Sequence, residues 1–139
     1  MENIMGNIIK TAILASGALA SFLFGEFTPL LKLLVIAVSV DYATGVLSAF
    51  IIGKRGGQGL NSRIGLEGIA RKVFIFSIVA VAHMADQATG TNMLMTAAIF
   101  YYLANEFLSI LENAGKIGLP VPEFLAKAID VLKKKGDGK

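Results

Sequence analysis

The chain has no cysteine, and His83 is its single histidine in 139 residues. The first absence excludes a disulfide framework and a zinc-thiolate site. The second leaves a histidine-cluster metal centre, or a Ser-His-Asp hydrolase, hard to build. Charge is scarce too. Asp, Glu, Lys and Arg make up 17% of the chain, against about a quarter in a typical soluble protein. The net charge of +3 is small, so the placement of the cations matters more than their sum. No phosphate loop is present either: Gly53-Lys54 is followed by Arg55, and no glycine lies five residues before Gly53. No catalytic cluster, cofactor site or nucleic-acid partner is expected.

What is there in quantity is apolar: 55% of residues are hydrophobic and the mean hydropathy is positive. Length allows one compact unit. Together these predict an all-α integral membrane bundle forming a single domain over residues 1–139.

Residues 30–52 are long enough to cross a bilayer as a helix, which takes about 20 mostly apolar residues. Asp41 sits near the middle of this stretch, where an aspartate costs roughly 2.5–3.5 kcal/mol to insert. Gly45, Ala49 and Gly53 follow at four-residue spacing, a pattern that lets two helix backbones approach closely. The stretch reads as an assembly helix running from about 29, with Pro29 at its first position, to 52.

Before it, residues 8–24 form a weaker apolar segment with Lys10 near its start and Ala12, Ser16 and Ala20 four apart. It spans or lies on the membrane, so four spans are expected, or three. A cleavable signal ending at Ala18-Leu19-Ala20 is the competing reading. After the central stretch, 53–71 is a glycine-rich basic loop with a short helix at 64–70, capped by Asn61 or Ser62. Further spans are predicted at 72–87 and 93–111. Gly115, Gly118, Pro120 and Pro122 then break the chain before an amphipathic basic helix at 120–135.

The basic residues give an orientation. Lys54, Arg55, Arg63, Arg71 and Lys72 lie on one side of a four-span map, together with the tail that holds Lys133, Lys134 and Lys135. The loops at 25–28 and 87–92 contain no Lys or Arg. By the positive-inside rule, the basic side and both termini face the cytoplasm of a bacterial inner membrane. Asp41 then lies near mid-membrane, Asn105 and Glu106 nearer the inner end, and His83 and Asp86 in the outer third. Polar residues at such depths either line an aqueous path or satisfy a neighbouring helix. Asp41, Gly45, Ala49, Gly53, Asn105 and Glu106 are the pore or assembly candidates, with His83 and Asp86 secondary.

Several of these residues fall in a recurrent pattern. Asp41-Tyr42-Ala43-Thr44-Gly45 resembles the D-Y-x-T-G of the phage-lysis and toxin-secretion holin family. The likeness continues through Ser62-Arg63-Ile64-Gly65-Leu66-Glu67-Gly68-Ile69-Ala70-Arg71-Lys72. It is most distinctive in Asn105-Glu106-Phe107-Leu108-Ser109-Ile110-Leu111-Glu112-Asn113 and Gly118-Leu119-Pro120-Val121-Pro122. It covers about 30 to 132, in order and spacing; the segment before Pro29 carries no matching motif. The resemblance implies a non-enzymatic phage or prophage protein that homo-oligomerises in the lipid bilayer and opens lesions. Those lesions would depolarise the membrane and release an endolysin or a toxin, with no stable direct binding of the endolysin. The alternative from another class is a small four-helix cation or multidrug transporter. A membrane anchor for a partner at the tail is a third reading.

Overall fold

The structure, a computed structural model, describes residues 1–136, without the side chains of Glu2, Ile129 and residues 132–136. The described chain is all helical: α1 (Glu2–Phe24), α2 (Pro29–Lys54), α3 (Ser62–Thr89), α4 (Met93–Lys116) and α5 (Glu123–Gly136). Local chemistry sets the ends. The Thr28 hydroxyl accepts the Leu31 N–H at 3.2 Å, and Pro29 behind it has no N–H to leave unpaired. The Asn61 side chain accepts the Ile64 N–H at 2.9 Å and so caps α3. Gly90 closes α3 in the left-handed conformation, at φ 71°.

Several elements differ in extent from the sequence reading: α2 and α4 run on to Lys54 and Lys116, and α3 and α1 depart further. The short helix at 64–70 and the span beginning at 72 are one continuous helix. Arg71 and Lys72 between them are good helix formers, and neither interrupts the backbone hydrogen bonds. α1 also begins well before its apolar segment. Among the described residues, three helices are long and apolar enough to cross a membrane, at Asn3–Phe24, Pro29–Lys54 and Met93–Lys116. α3 is not among the three. It carries Arg63, Glu67, Arg71 and Lys72 in its first half and His83 and Asp86 towards its end.

α2, α3 and α4 form the bundle. α2 and α4 run in the same direction, since Asp41 meets Asn113 and the Arg55 guanidinium donates to the Ile117 carbonyl at 3.3 Å. α3 runs against both, with Lys72 beside Glu106 and Asp86 beside the start of α4. The core is one apolar layer of Leu31, Leu34, Val38, Ile75, Val79 and Ile99. Leu34 and Val79 are completely buried.

The G-x-x-G spacing in α3 now has a cause. Tyr42 of α2 lies against Gly65 and Gly68, and a Cβ on Gly68 would stand 3.3 Å from the tyrosine ring. That contact is tighter than packing normally tolerates, so a larger side chain forces the helices apart. Gly68→Leu is expected to destabilise the bundle by about 1–3 kcal/mol, the usual range for overpacking. Thermal unfolding in detergent, beside an Ala substitution at exposed Leu66 as control, measures it.

α1 stands apart. It contacts the bundle through α3, where Phe24 meets Phe76 edge to face at 6.1 Å. Ala12, Ser16 and Ala20 are all exposed, so the stripe that they form has no partner helix among the described residues.

Candidate functional site

The helix-by-helix placement of polar residues converges on one level of the bundle. Asp41 lies halfway along α2, and its face also carries Gly45 and Ser48, one and two turns further on. Glu106 and Asn113 are seven residues apart on α4, so they share a face. Lys72 of α3 reaches between the two helices. Its ammonium is ion-paired with both Asp41 Oδ2 and Glu106 Oε2. The other Asp41 oxygen accepts from the Asn113 amide at 3.3 Å, and the same amide reaches the Thr44 hydroxyl at 3.1 Å. Asp41 is 8% exposed and Glu106 5%.

This is one ammonium between two carboxylates in an apolar bundle, with a carboxamide completing the aspartate's hydrogen bonds. Removing two or three charges from water is costly, and mutual attraction offsets that only when the geometry is close and every polar atom is paired. Here the pairing draws one residue from each of α2, α3 and α4. The cluster therefore ties the three helices to one another at one depth.

Sequence reasoning found the acidic members of this cluster and missed the cation. Lys72 was expected at the membrane surface with Arg71; instead it turns inward while Arg71 is exposed. The two are about 100° apart around α3, and only the helix's rotation decides which points in. Asn113 and Thr44 were also missed. Both stand within the motif blocks quoted above, and the seven-residue interval from Glu106 to Asn113 was the available signal.

The remaining candidates go elsewhere. Asn105 is exposed, about 100° around α4 from Glu106. Gly45 faces the Asn113 side chain, and a Cβ on Gly53 would lie 2.8 Å from the Gly59 Cα of the returning loop. Ala49 is half-buried between them. Gly45 and Gly53 of the small-residue seam thus meet other parts of the same chain. Among the other basic residues, Arg63 pairs with Glu67, Lys54 lies over the Phe50 ring, and Arg55 holds the end of α4. Lys133, Lys134 and Lys135 fall in α5, but their side chains lie outside the described residues.

Asp86 has a local task. It accepts from the Thr91 hydroxyl at 2.6 Å and from the N–H groups of Leu94 and Met95 at 3.0 and 2.8 Å. It thereby caps α4 from the preceding helix, where Asn92 makes no side-chain cap. Asp86→Ala is expected to lower stability by about 1–2 kcal/mol, the upper range for a lost cap. Hydrogen exchange at Leu94 and Met95 should rise with it; unchanged protection there would refute the assignment. His83 packs its ring against Gly25, and its Nε2 is buried with no hydrogen-bond partner among the described residues. Among the described residues, no group of three His, Cys, Asp or Glu could hold a metal ion.

Comparison with known proteins gives a consistent picture. A family model described as "Bacteriophage holin family" matches residues 18–134. An uncharacterized protein of Halalkalibacterium halodurans is 44% identical over 135 residues, 93% of this chain and 96% of that protein. An uncharacterized 14.9 kDa protein of Clostridium perfringens is 41% identical over 138 residues, covering 97% and 99% of the two chains. A probable holin of Bacillus phage phi105 is 34% identical over 120 residues, covering 86% and 84%. No solved structure matches the chain at a significant level.

Proposed function

Since the chain belongs to the bacteriophage holin family, we propose that it is a non-enzymatic lesion former of the bacterial inner membrane. Copies accumulate there, assemble into homo-oligomers, depolarise the membrane and let an endolysin, or in related systems a toxin, cross it. α3 is the fourth span in this reading, through its apolar part between Lys72 and Asp86. Both termini are then cytoplasmic, and α5 rests on the inner leaflet through its apolar stripe and lysines.

The observation that carries the proposal is the buried cluster of Lys72, Asp41 and Glu106. A lone intramembrane carboxylate would be costly; one locked to a cation on a neighbouring helix keeps the single copy closed. Exchanging those internal pairs for pairs between copies, or for water, converts a harmless bundle into a polar-lined assembly. The exposed apolar length of α1 supplies surface on which copies meet.

Induced expression in a bacterium, with membrane potential followed with and without a co-expressed endolysin, is the direct test. Abrupt depolarisation followed by endolysin-dependent lysis is expected. Steady growth at unchanged potential would sink the proposal. Within that assay, Asp41→Asn should shift the time of depolarisation, because it removes one of the two charges that Lys72 balances. Unchanged timing and extent would count against a role for the cluster.

A further inference from the structure

Between the charge cluster and the basic end of the bundle lies a cavity of about 520 Å³. Asp41 and Lys72 stand at its inner end, Ala49 and Ser109 on its α2 and α4 walls, and Gln58 and Lys116 at its mouth. From Asp41 to Ile52, which also lines it, α2 rises about 16 Å at 1.5 Å per residue. The space is many times the roughly 30 Å³ that one water occupies, and its lining is mixed: Asp41, Ser48, Gln58, Ser109 and Lys116 stand along it beside apolar residues such as Val46 and Ile64, which gives water polar partners at intervals along the cavity.

On the other side of the cluster the surroundings are apolar, including a side cavity that runs from Lys72 past Val38, Phe76 and Ala80 and offers almost no polar group to water. Leu31, Leu34, Val38, Ile75, Val79 and Ile99 pack there without a polar side chain among them. Leu34 and Val79 are wholly buried. From Val38 to Leu31 this layer is about 10 Å thick along α2. A tight apolar layer of that depth bars ions by staying dry.

We propose that a single copy of the chain contains an aqueous half-channel. Water and small hydrophilic cations enter at the basic end, reach Lys72 and Asp41, and stop at the apolar layer. Lys72 and Asp41 are then hydrated from one compartment only, which lowers the cost of holding the cluster in an apolar bundle. It also sets the minimum opening that a lesion requires: the apolar layer alone separates this water from the far side. The inference rests on reading α2–α4 as membrane-spanning, and it adds to that reading a path, its entrance and its barrier.

The absence of native cysteine makes the test clean. Single substitutions Ala49→Cys and Ser109→Cys probe the two walls, and Leu34→Cys probes the apolar layer. Gln58→Cys marks the basic side and Asn92→Cys the opposite one. Each full-length variant is treated with a membrane-impermeant trimethylammonium thiosulfonate in sealed right-side-out and everted vesicles.

Ala49→Cys and Ser109→Cys are expected to react at least ten-fold faster from the side on which Gln58→Cys reacts. Leu34→Cys should react from neither. The half-channel is overturned if both wall positions stay silent to the cation while Gln58→Cys reacts, or if they react equally from both sides. It is also overturned if they react only with an apolar maleimide, which would mean that lipid chains fill the space. Reaction of Gln58→Cys and Asn92→Cys from the same side would instead overturn the spanning topology, and the half-channel with it. No arm depends on lysis, so a failure of the holin reading is seen separately.

Discussion

Lys72→Met is expected to destabilise the helix bundle by about 3–5 kcal/mol, the range for removing one partner of a buried ion pair. The reason is the pair of carboxylates left behind. Asp41 Oδ2 and Glu106 Oε2 both face the lysine ammonium, and methionine fills the space but supplies no donor. Two neighbouring acids in an apolar setting then lack a counter-charge. By contrast, Lys72→Met combined with Asp41→Asn and Glu106→Gln should recover most of the loss. Neutral side chains of similar volume avoid the desolvation of charge, and Asn113 can still donate to residue 41.

The measurement is unfolding in detergent micelles, followed by circular dichroism for the single and the triple variants. A single variant as stable as the native chain would refute the view that this cluster ties α2, α3 and α4 together. In cells, the single variant should depolarise the membrane earlier than the native chain if the cluster keeps individual copies closed. The triple variant should be no earlier than the single one. These two readouts separate the structural claim from the functional one, because stability can fall without any change in timing.

Gly25→Val carries the second large effect. Gly25 joins α1 to the turn before α2 at φ 69°, and its N–H donates to the Ser21 carbonyl at 2.8 Å. With ψ at −138° this is not the left-handed helical region but backbone that is essentially glycine's alone, so an L-residue there costs roughly 1–3 kcal/mol, and β-branching makes it worse. The space is also taken. A Cβ there would lie 2.7 Å from the His83 Cε1 atom, an overlap worth about 1–3 kcal/mol of overpacking.

The two contributions can be separated. Adding His83→Ala to Gly25→Val removes the collision and leaves the backbone strain, so the double variant should recover part of the loss. Full recovery would mean that the backbone conformation is not demanding; no recovery would mean that the ring is not the obstacle. The joint matters for assembly as well. α1 reaches the bundle through its C-terminal end, so a changed turn re-aims its whole exposed length.

Much of this protein could be read from the chain alone. The scarcity of charge and the apolar runs required helices that satisfy their own backbone groups in a membrane. Gly25, Gly90 and Gly118, and the prolines at 29, 120 and 122, marked the breaks between them. Thr28 and Asn61 were the residue types that begin helices, and they do so here. Asp41 and Glu106 stood out because each is anomalous within its own apolar segment. The motif blocks pointed to the family that the comparisons then identified.

What the chain alone did not determine is the partner of each of those residues. Lys72 lies 31 residues from Asp41 and 34 from Glu106, and its neighbour Arg71 has the same charge, so nothing local selects one over the other. The antiparallel placement of α3 beside the parallel pair α2 and α4 brings Lys72 to the level of both acids, and the rotation of α3 turns it inward. The same arrangement carries Asp86 to the first turn of α4, and it sets Gly45 and Gly53 of α2 against Asn113 and Gly59. Periodicity reports which face a helix must bury; only the packed helices decide what that face is buried against.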